Sequence, residues 1–130
     1  MTKVAVGILE RNGALLVCQR KKGSRYGLKW EFPGGKLEAG ETVDQCLRRE
    51  LAEELSIHIQ HIDRIDVRTS HYKDGGLFEV AYCFVTQFEG EPRNNVFEQI
   101  RWVRPEELPG LDHLEGNAEL VSMLAGSGTS

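Results

Sequence analysis

Three glutamates share one face of a predicted helix. Glu50, Glu53 and Glu54 stand at positions i, i+3 and i+4, so at about 100° per residue their carboxylates span an arc of roughly 100°. Like charges at this spacing repel one another and weaken a helix by roughly a few tenths of a kcal/mol per pair. A cation bound among them removes the repulsion, and carboxylate oxygens suit Mg²⁺ or Mn²⁺. The alternative is a solvated acidic helix face, which is a common surface feature.

The helix that carries these glutamates has clear start and stop signals. Thr42 and Gln45 match a capping box, so the helix is predicted to begin after Thr42. Apolar residues then recur every four positions and form one buried stripe: Val43, Leu47, Leu51 and Leu55. The helix is expected to end near Leu55 and Ser56, before the β-branched Ile57.

The rest of the chain is mostly β-prone. Predicted strands cover residues 4–11, 14–20, 30–32, 57–69, 77–88 and 100–103. Asn12-Gly13 joins the first two strands as a hairpin, and Pro-Gly-Gly at residues 33–35 is predicted to stop the third. A turn is expected at residues 74–76, a helical turn at Pro105, and a short helix over residues 117–125. We therefore expect an α/β chain of the α+β kind, with a mixed sheet between helices.

Length and composition predict one globular domain. The 130 residues are expected to form a single domain over 1–125 and a flexible tail over 126–130. The net charge of −4 disfavours stable nucleic-acid binding, and it disfavours an anionic substrate unless a cation mediates. No apolar run reaches the roughly 20 residues of a membrane span, and no signal-peptide core is present. Three dispersed cysteines predict reduced thiols in a cytoplasmic protein: Cys18, Cys46 and Cys83. Both a monomer and a homodimer stay open.

The spacing around the helix resembles the Nudix box. Gly35 is followed after five residues by Glu41, and after seven more by Arg-Glu-Leu-Ala-Glu-Glu-Leu-Ser-Ile at residues 49–57. The family pattern is G-x5-E-x7-R-E-U-x-E-E-x-G-U, where U is a bulky apolar residue. Ser56, in place of the final glycine, departs from it. The segment Trp-Glu-Phe-Pro-Gly-Gly-Lys at residues 30–36 is similar to the MutT-like branch.

This resemblance implies a fold and a reaction. The implied Nudix fold is an α/β/α sandwich around a mixed β-sheet. The implied activity is Mg²⁺-dependent hydrolysis of a nucleoside triphosphate to the monophosphate and pyrophosphate, by attack of water on the β-phosphorus. The match assigns four metal ligands: the Gly34 carbonyl and the carboxylates of Glu50, Glu53 and Glu54. By the same match Arg49 orients a carboxylate, and Glu41 fixes the loop beside the helix. Ser56 costs about 1–2 kcal/mol if the glycine's left-handed conformation is kept.

Four further residues are candidates for catalysis or substrate binding, and two of them match positions of the MutT-like branch. Glu98, before the predicted strand at 100–103, matches an extra carboxylate that acts as a metal ligand or as the base that activates water. A surface loop glutamate is the alternative, and Glu91 is a weaker candidate. Arg20 matches an arginine that reaches substrate phosphates, Lys36 follows the glycines and could do the same, and Phe32 is assigned to substrate binding. The neighbouring cations are expected to form a solvated loop: Lys21, Lys22 and Arg25.

Asn117 resembles the MutT-like asparagine that recognises the base. The Hoogsteen edge of guanine presents two acceptors, N7 and O6, and oxidation at C8 places a hydrogen on N7. A carboxamide has both an acceptor and donors, so it meets the resulting donor–acceptor edge. The resemblance therefore favours 8-oxo-dGTP as substrate and a role in nucleotide-pool sanitising and mutation avoidance. The alternative is that Asn117 caps the last helix.

Other members of the family are alternatives. Pyrophosphohydrolases of CTP or 5-methyl-dCTP share the Trp-Glu-Phe segment but tend to carry Asp where this chain has Asn117. A dinucleoside polyphosphate hydrolase is less favoured, although Tyr72 lies near a tyrosine of that branch. An ADP-ribose hydrolase is disfavoured because no proline occurs between Pro33 and Pro92. A non-catalytic nucleotide-binding module usually loses a box glutamate, and none is lost here.

Overall fold

The computed structural model describes residues 1–71 and 75–127. This part of the chain forms nine strands and two α-helices. The strands are β1 (Thr2–Arg11), β2 (Ala14–Gln19), β3 (Trp30–Glu31), β4 (Gly34–Lys36), β5 (His58–His61), β6 (Arg64–His71), β7 (Leu77–Val85), β8 (Gln87–Glu89) and β9 (Gln99–Val103). The helices are α1 (Val43–Leu55) and α2 (Ala118–Ser127), and two 3₁₀ helices cover Pro105–Gly110 and Glu115–Asn117.

Seven of the strands form one mixed sheet. Its main order is β3-β2-β1-β7-β6, with β4 paired to β1 and β9 paired to β2. β1 and β7 are parallel from Thr2–Phe78 to Leu9–Val85, and the other pairs are antiparallel. β5 and β8 form a separate two-stranded sheet. The mixed sheet agrees with the expected fold class.

The strands β1 and β2 separate beyond their hairpin. They pair at Glu10–Leu15 and Arg11–Ala14. Towards the N-terminus of β1, the Pro-Gly-Gly segment takes the place of β2 as the partner of β1. The Gly7 amide donates to the Pro33 carbonyl at 2.8 Å, and Val6 pairs with Gly34. A Cβ on Gly34 would lie 2.1 Å from the Ala5 carbonyl oxygen. This segment, predicted only to stop a strand, therefore forms β4, because glycine allows the close backbone approach.

Helices cover both faces of the sheet. Helix α1 packs its apolar stripe on one face, against Ala5 and Leu9 of β1. The other face carries α2 and the first 3₁₀ helix, which bury Leu120, Val121 and Leu108 against it. The three layers are the predicted α/β/α sandwich.

Helix α1 has the predicted ends. The Thr42 hydroxyl accepts from the Gln45 amide at 3.1 Å, and the Gln45 side chain accepts from the Thr42 amide at 3.0 Å. At the other end Ser56 has φ 57° and ψ 35°, and its amide donates to the Ala52 carbonyl at 3.1 Å. Ser56 therefore keeps the left-handed conformation that glycine adopts without strain.

Two predicted long strands are each divided. The segment 57–69 becomes β5 and β6, and the segment 77–88 becomes β7 and β8. The Asp63 carboxylate holds the break: it accepts from the amide and the hydroxyl of Thr86 at 2.9 and 3.0 Å. A local side-chain hydrogen bond of this kind competes with regular strand pairing. The alternation of apolar and polar residues does not predict it.

The C-terminal prediction needs a correction. α2 begins at Ala118, one residue later than expected, and includes Gly126 and Ser127, which were assigned to the tail. Residues 128–130 lie outside the described residues, as do Tyr72 and residue 74 of the expected turn. The three cysteines are buried free thiols, as predicted. In the described part of the chain, neither helix has the length and apolarity to cross a membrane.

Candidate active site

A cleft of about 440 Å³ lies on the sheet face that also carries α2. Val4 pairs with Val80 across the parallel strands β1 and β7, so side chains two residues away along each strand point to the same side. The apolar wall built this way consists of Val4, Val6, Phe78 and Val80, with Phe32, Val96, Phe97 and Leu114 around it. The cleft can therefore hold a flat aromatic ring, such as that of a nucleobase, with its face against the apolar wall.

Two box glutamates meet beside the glycines that line this cleft. The Glu54 carboxylate accepts from the Gly34 amide at 3.2 Å. Glu50 packs on Gly35, where an added Cβ would lie 2.4 Å from the Glu50 carboxylate carbon. Burial, followed by the charge of Glu50, raises the pKa of Glu54 to about 8. The two glycines thus allow two carboxyl groups to approach each other and the loop backbone.

Arg49 holds Glu50 from the side. Its Nε and Nη2 donate to the two carboxylate oxygens of Glu41 at 2.7 and 2.9 Å, and its Nη1 donates to Glu50 at 2.7 Å. The hydrogen bonds from Arg49 lower the pKa of Glu41 to about 2. Glu41 therefore fixes the guanidinium, and the guanidinium fixes Glu50. Arg49 does contact a carboxylate, and its part in catalysis stays a prediction.

Glu53 is not gathered with the other two box glutamates. Its side chain is 61% exposed, with one carboxylate oxygen 3.6 Å from Arg49 Nη1. Across residues 1–71 and 75–127, no three acidic, histidine or cysteine side chains form a group that could hold a metal ion. Glu50 and Glu54 nonetheless fit a divalent cation, because they are hard oxygen donors whose mutual repulsion a cation would relieve. The assignment of Glu53 and of the Gly34 carbonyl as ligands stays a prediction.

Four cationic side chains line the same cleft: Arg20, Lys21, Arg25 and Lys36. Arg20 donates from Nε to the Arg25 carbonyl at 2.7 Å and from Nη1 to Glu31 at 3.2 Å. Lys21 and Arg25 are exposed in the loop after β2, as expected, and they also line the cleft. Within an acidic chain, these cations supply a local positive surface for a polyphosphate.

Glu98 lies apart from the box glutamates. It precedes β9 as predicted, but its side chain is exposed and does not line the cleft. One carboxylate oxygen accepts from the Lys22 amide at 3.2 Å, and its own amide donates to the Gln19 carbonyl at 2.8 Å. The structure therefore places Glu98 against the loop after β2. Glu91, the weaker candidate, is paired with Arg11 at 2.7 and 2.9 Å.

Asn117 belongs to the cleft and is 8% exposed. Its Oδ1 accepts from the hydroxyl of Tyr82 at 3.0 Å, a core residue of β7. It ends a 3₁₀ helix directly before α2, so the predicted position at the start of the last helix is close to the observed one. Tyr82 was missed because nothing distinguishes it within an apolar strand.

Glu31 was also missed as a functional residue. It lines the cleft between Arg20 and the box glutamates, and burial raises its pKa against the opposing effect of Arg20. Its place in the Trp-Glu-Phe segment was the signal available in the sequence. Phe32, 4% exposed, lines the same cleft as expected.

Comparisons with known proteins agree with this geometry. Residues 1–124 match the family model of the NUDIX domain. An 8-oxo-dGTP diphosphatase of Haemophilus influenzae is 31% identical over 123 residues, which are 94% of this chain and 90% of that protein. A CTP pyrophosphohydrolase of Escherichia coli is 34% identical over 109 residues, which are 82% of this chain and 78% of that protein.

A solved structure from a study of MutT of Aliivibrio salmonicida and Vibrio cholerae superposes with a TM-score of 0.78, at 26% identity. The match covers 97% of this chain and 98% of the other. The chain belongs to the Nudix family. Within the family it is a pyrophosphohydrolase of the MutT type, and members of the family generally use a divalent metal.

Proposed function

We propose that this chain hydrolyses 8-oxo-dGTP to 8-oxo-dGMP and pyrophosphate with Mg²⁺, and that Mn²⁺ can replace Mg²⁺. The observation that carries the proposal is the position of Asn117, whose carboxamide enters the apolar cleft that also contains Glu54 and a row of cations. A base, a triphosphate and a metal therefore have separate places within one cleft. The relatives that act on 8-oxo-dGTP support the choice of base.

The base is proposed to lie against the apolar wall with its oxidised edge towards Asn117. Oδ1 would accept from the N7 hydrogen of 8-oxoguanine, and Nδ2 would donate to O6. Guanine itself has an acceptor at N7, so it would face Oδ1 acceptor to acceptor. Phe32 and Phe78 offer ring surface for the base.

The phosphates are proposed to lie along the cationic side chains. Arg20 is already held by Glu31 and the Arg25 carbonyl, so its remaining donors have a restricted direction. Lys36 is the last residue of β4 and is exposed. Together these cations would orient the triphosphate and compensate its charge.

Glu50, Glu53, Glu54 and the Gly34 carbonyl are proposed to hold the metal. A bound divalent cation supplies Lewis acidity to the phosphate oxygens and to the attacking water. Arg49 keeps Glu50 in place through the Glu41 pair. Glu98 is proposed as a further ligand or as the base; one of its carboxylate oxygens accepts from the amide of Lys22, and the other is available for either role.

A kinetic panel tests the proposal. The substrates are 8-oxo-dGTP, dGTP, CTP, 5-methyl-dCTP and a dinucleoside tetraphosphate, each with Mg²⁺ and with Mn²⁺. We expect the highest kcat/KM for 8-oxo-dGTP, and hydrolysis in H₂¹⁸O should place the label in pyrophosphate if water attacks the β-phosphorus. A higher kcat/KM for any other substrate would reject the proposed base.

CTP is the second candidate substrate. The Escherichia coli relative named a CTP pyrophosphohydrolase covers most of the chain, and a pyrimidine also fits an apolar cleft of this size. Cytosine presents an amino donor at C4 beside the acceptor N3, which Asn117 could meet with Oδ1 and Nδ2. The same panel separates the two substrates, because CTP and 5-methyl-dCTP would then exceed 8-oxo-dGTP.

A further inference from the structure

A buried hydroxyl contacts the base-facing side chain from behind. Tyr82 is 1% exposed and belongs to the core cluster between β7 and α2, whereas Asn117 lines the cleft. The tyrosine O–H donates to Asn117 Oδ1 at 3.0 Å, across 35 positions of sequence. The contact therefore joins the sheet to the turn before α2 at the point where the base would bind.

This bond distinguishes the two ends of the carboxamide. A carboxamide oxygen has two lone pairs and its nitrogen two hydrogens. With one lone pair engaged by the Tyr82 hydroxyl, the other lone pair and the Nδ2 hydrogens remain for a ligand. If the group rotated by 180°, the hydroxyl would lose Oδ1 as its acceptor and could only accept from Nδ2, and the order of donor and acceptor in the cleft would be reversed.

We propose that Tyr82 is a positioning residue for base selection, which holds the Asn117 carboxamide in the one orientation that offers an acceptor and a donor in a fixed order. The inference rests on the proposed function for its choice of base. Its ligand class is a base with a hydrogen-bond donor beside a carbonyl, the edge that oxidation of guanine at C8 creates. Tyr82 does not line the cleft, so it acts through Asn117.

The side chain at position 82 has a purely structural alternative. Phenylalanine would fill the same core volume without burying a hydroxyl, so packing alone does not require tyrosine. If the hydroxyl serves only to satisfy Asn117, its removal should lower stability and leave substrate preference unchanged. If it fixes the carboxamide, its removal should alter preference as well.

Tyr82→Phe separates these roles. We expect the 8-oxo-dGTP/dGTP ratio of kcat/KM to fall by about three- to tenfold, the effect of one neutral hydrogen bond, mainly through kcat/KM for 8-oxo-dGTP. Turnover of dGTP should change little. Cys83→Ala is the control: it alters the next residue of β7, which faces the α1 side of the sheet, and should lower the Tm without changing the ratio. A lower Tm with an unchanged ratio in Tyr82→Phe would overturn the proposal.

A double-mutant cycle tests the route through Asn117. In an Asn117→Ala background, Tyr82→Phe should have no further effect on the ratio, because the side chain that it orients is absent. Additive effects would mean that Tyr82 acts independently and would reject the inference. If the wild type prefers another triphosphate, the proposed function fails by itself. The cycle is then run on the ratio of kcat/KM for that triphosphate to kcat/KM for the poorest substrate. Coupling between Tyr82 and Asn117 in that ratio still supports the positioning role of Tyr82, and the absence of coupling still rejects it.

Discussion

The carboxylate of Glu54 accepts a hydrogen bond from the backbone amide of Gly34 at 3.2 Å. This contact joins the last turn of α1 to β4, which pairs with β1 where β1 and β2 have separated. It places one box glutamate inside the cleft, whereas Glu53, one residue earlier, is directed towards solvent and Arg49. The neighbouring glutamates of the motif therefore occupy unlike surroundings before any cation binds.

Substitution of Glu54 by Gln should remove a charge that the metal needs. We expect kcat to fall on the order of a hundredfold or more under saturating Mg²⁺, with the fold intact by circular dichroism. Glu53→Gln should also lower kcat if Glu53 turns inward to bind the ion. Glu38→Gln is the control, because Glu38 is 71% exposed and 3.8 Å from Arg49, and its kcat should be unchanged. Near-normal kcat in both Glu53→Gln and Glu54→Gln would contradict the metal assignment.

The raised pKa of Glu54 predicts a pH-dependent stability in metal-free protein. The folded-state pKa of about 8 lies above the ordinary value of 4.5, so the folded state binds the extra proton between these values. Stability should therefore decrease as pH rises from about 5 to 9. The Tm of Glu54→Gln minus that of wild type should increase across this range in EDTA, and Mg²⁺ should reduce the difference. Glu41, with its pKa of about 2, titrates below this window. A constant difference would show that Glu54 is not desolvated.

The left-handed conformation of Ser56 predicts a difference in stability between two substitutions at this position. Ser56→Gly and Ser56→Ala both lose the hydrogen bond that the Ser56 hydroxyl accepts from Asn95 at 2.9 Å, so their difference reports the backbone conformation. We expect the free energy of unfolding of the glycine variant to exceed that of the alanine variant by about 1 kcal/mol, since the Cβ of a non-glycine residue destabilises the left-handed conformation. Urea denaturation in the presence and absence of Mg²⁺ measures it. Equal stabilities would mean that the turn relaxes.

The fold could be predicted wherever local signals and the global arrangement agree. The capping box, the apolar stripe and the Asn12-Gly13 hairpin each specify their own element, and all three appear in the structure. The pairing of β4 could not be foreseen, because it depends on the absence of a Cβ at Gly34 and on a partner strand 28 residues earlier. The division of the segment 57–69 likewise depends on Asp63 bonding to Thr86.

Some parts of the candidate site could likewise be predicted from the sequence, and others could not. Motif spacing singled out Glu50 and Glu54, and the structure places both beside the Pro-Gly-Gly segment; their role as metal ligands stays a prediction. The separation of Glu98 from the box glutamates depends on the loop after β2, whose conformation no pattern specifies. Tyr82 contacts a residue 35 positions away in the sequence, and such contacts are decided by packing.

Arg20→Ala should lower kcat/KM for every nucleoside triphosphate by a similar factor, because the phosphates are the same whichever base is attached. We expect kcat/KM to fall roughly ten- to hundredfold, as for the loss of charge-assisted hydrogen bonds. Arg20 also pairs with Glu31, so its loss leaves a buried carboxylate uncompensated. The double variant Arg20→Ala/Glu31→Gln controls for that charge and should show the same uniform loss. A loss confined to one base would reassign Arg20 to base recognition.

Asn117→Ala should lower the preference for the oxidised purine. The variant loses both hydrogen bonds to the donor–acceptor edge, and unpaired polar groups cost about 1–3 kcal/mol. The 8-oxo-dGTP/dGTP ratio of kcat/KM should therefore fall by roughly ten- to a hundredfold, while kcat/KM for dGTP changes much less. Tyr82→Phe in the same assay should give the smaller fall argued above, because it leaves the carboxamide in place.

Asn117→Asp separates base recognition from helix capping. An ionised aspartate is acceptor-only; it could still accept from Tyr82, but it would repel O6 of 8-oxoguanine, so kcat/KM for 8-oxo-dGTP should fall further than in Asn117→Ala. As a helix cap, aspartate is as good as asparagine, and the capping role predicts unchanged kinetics for Asn117→Asp together with a loss of about 1 kcal/mol of stability in Asn117→Ala. Melting temperatures and the 8-oxo-dGTP/dGTP ratio of both variants decide between them. An unchanged ratio in Asn117→Asp would remove the reason to prefer the oxidised purine over CTP.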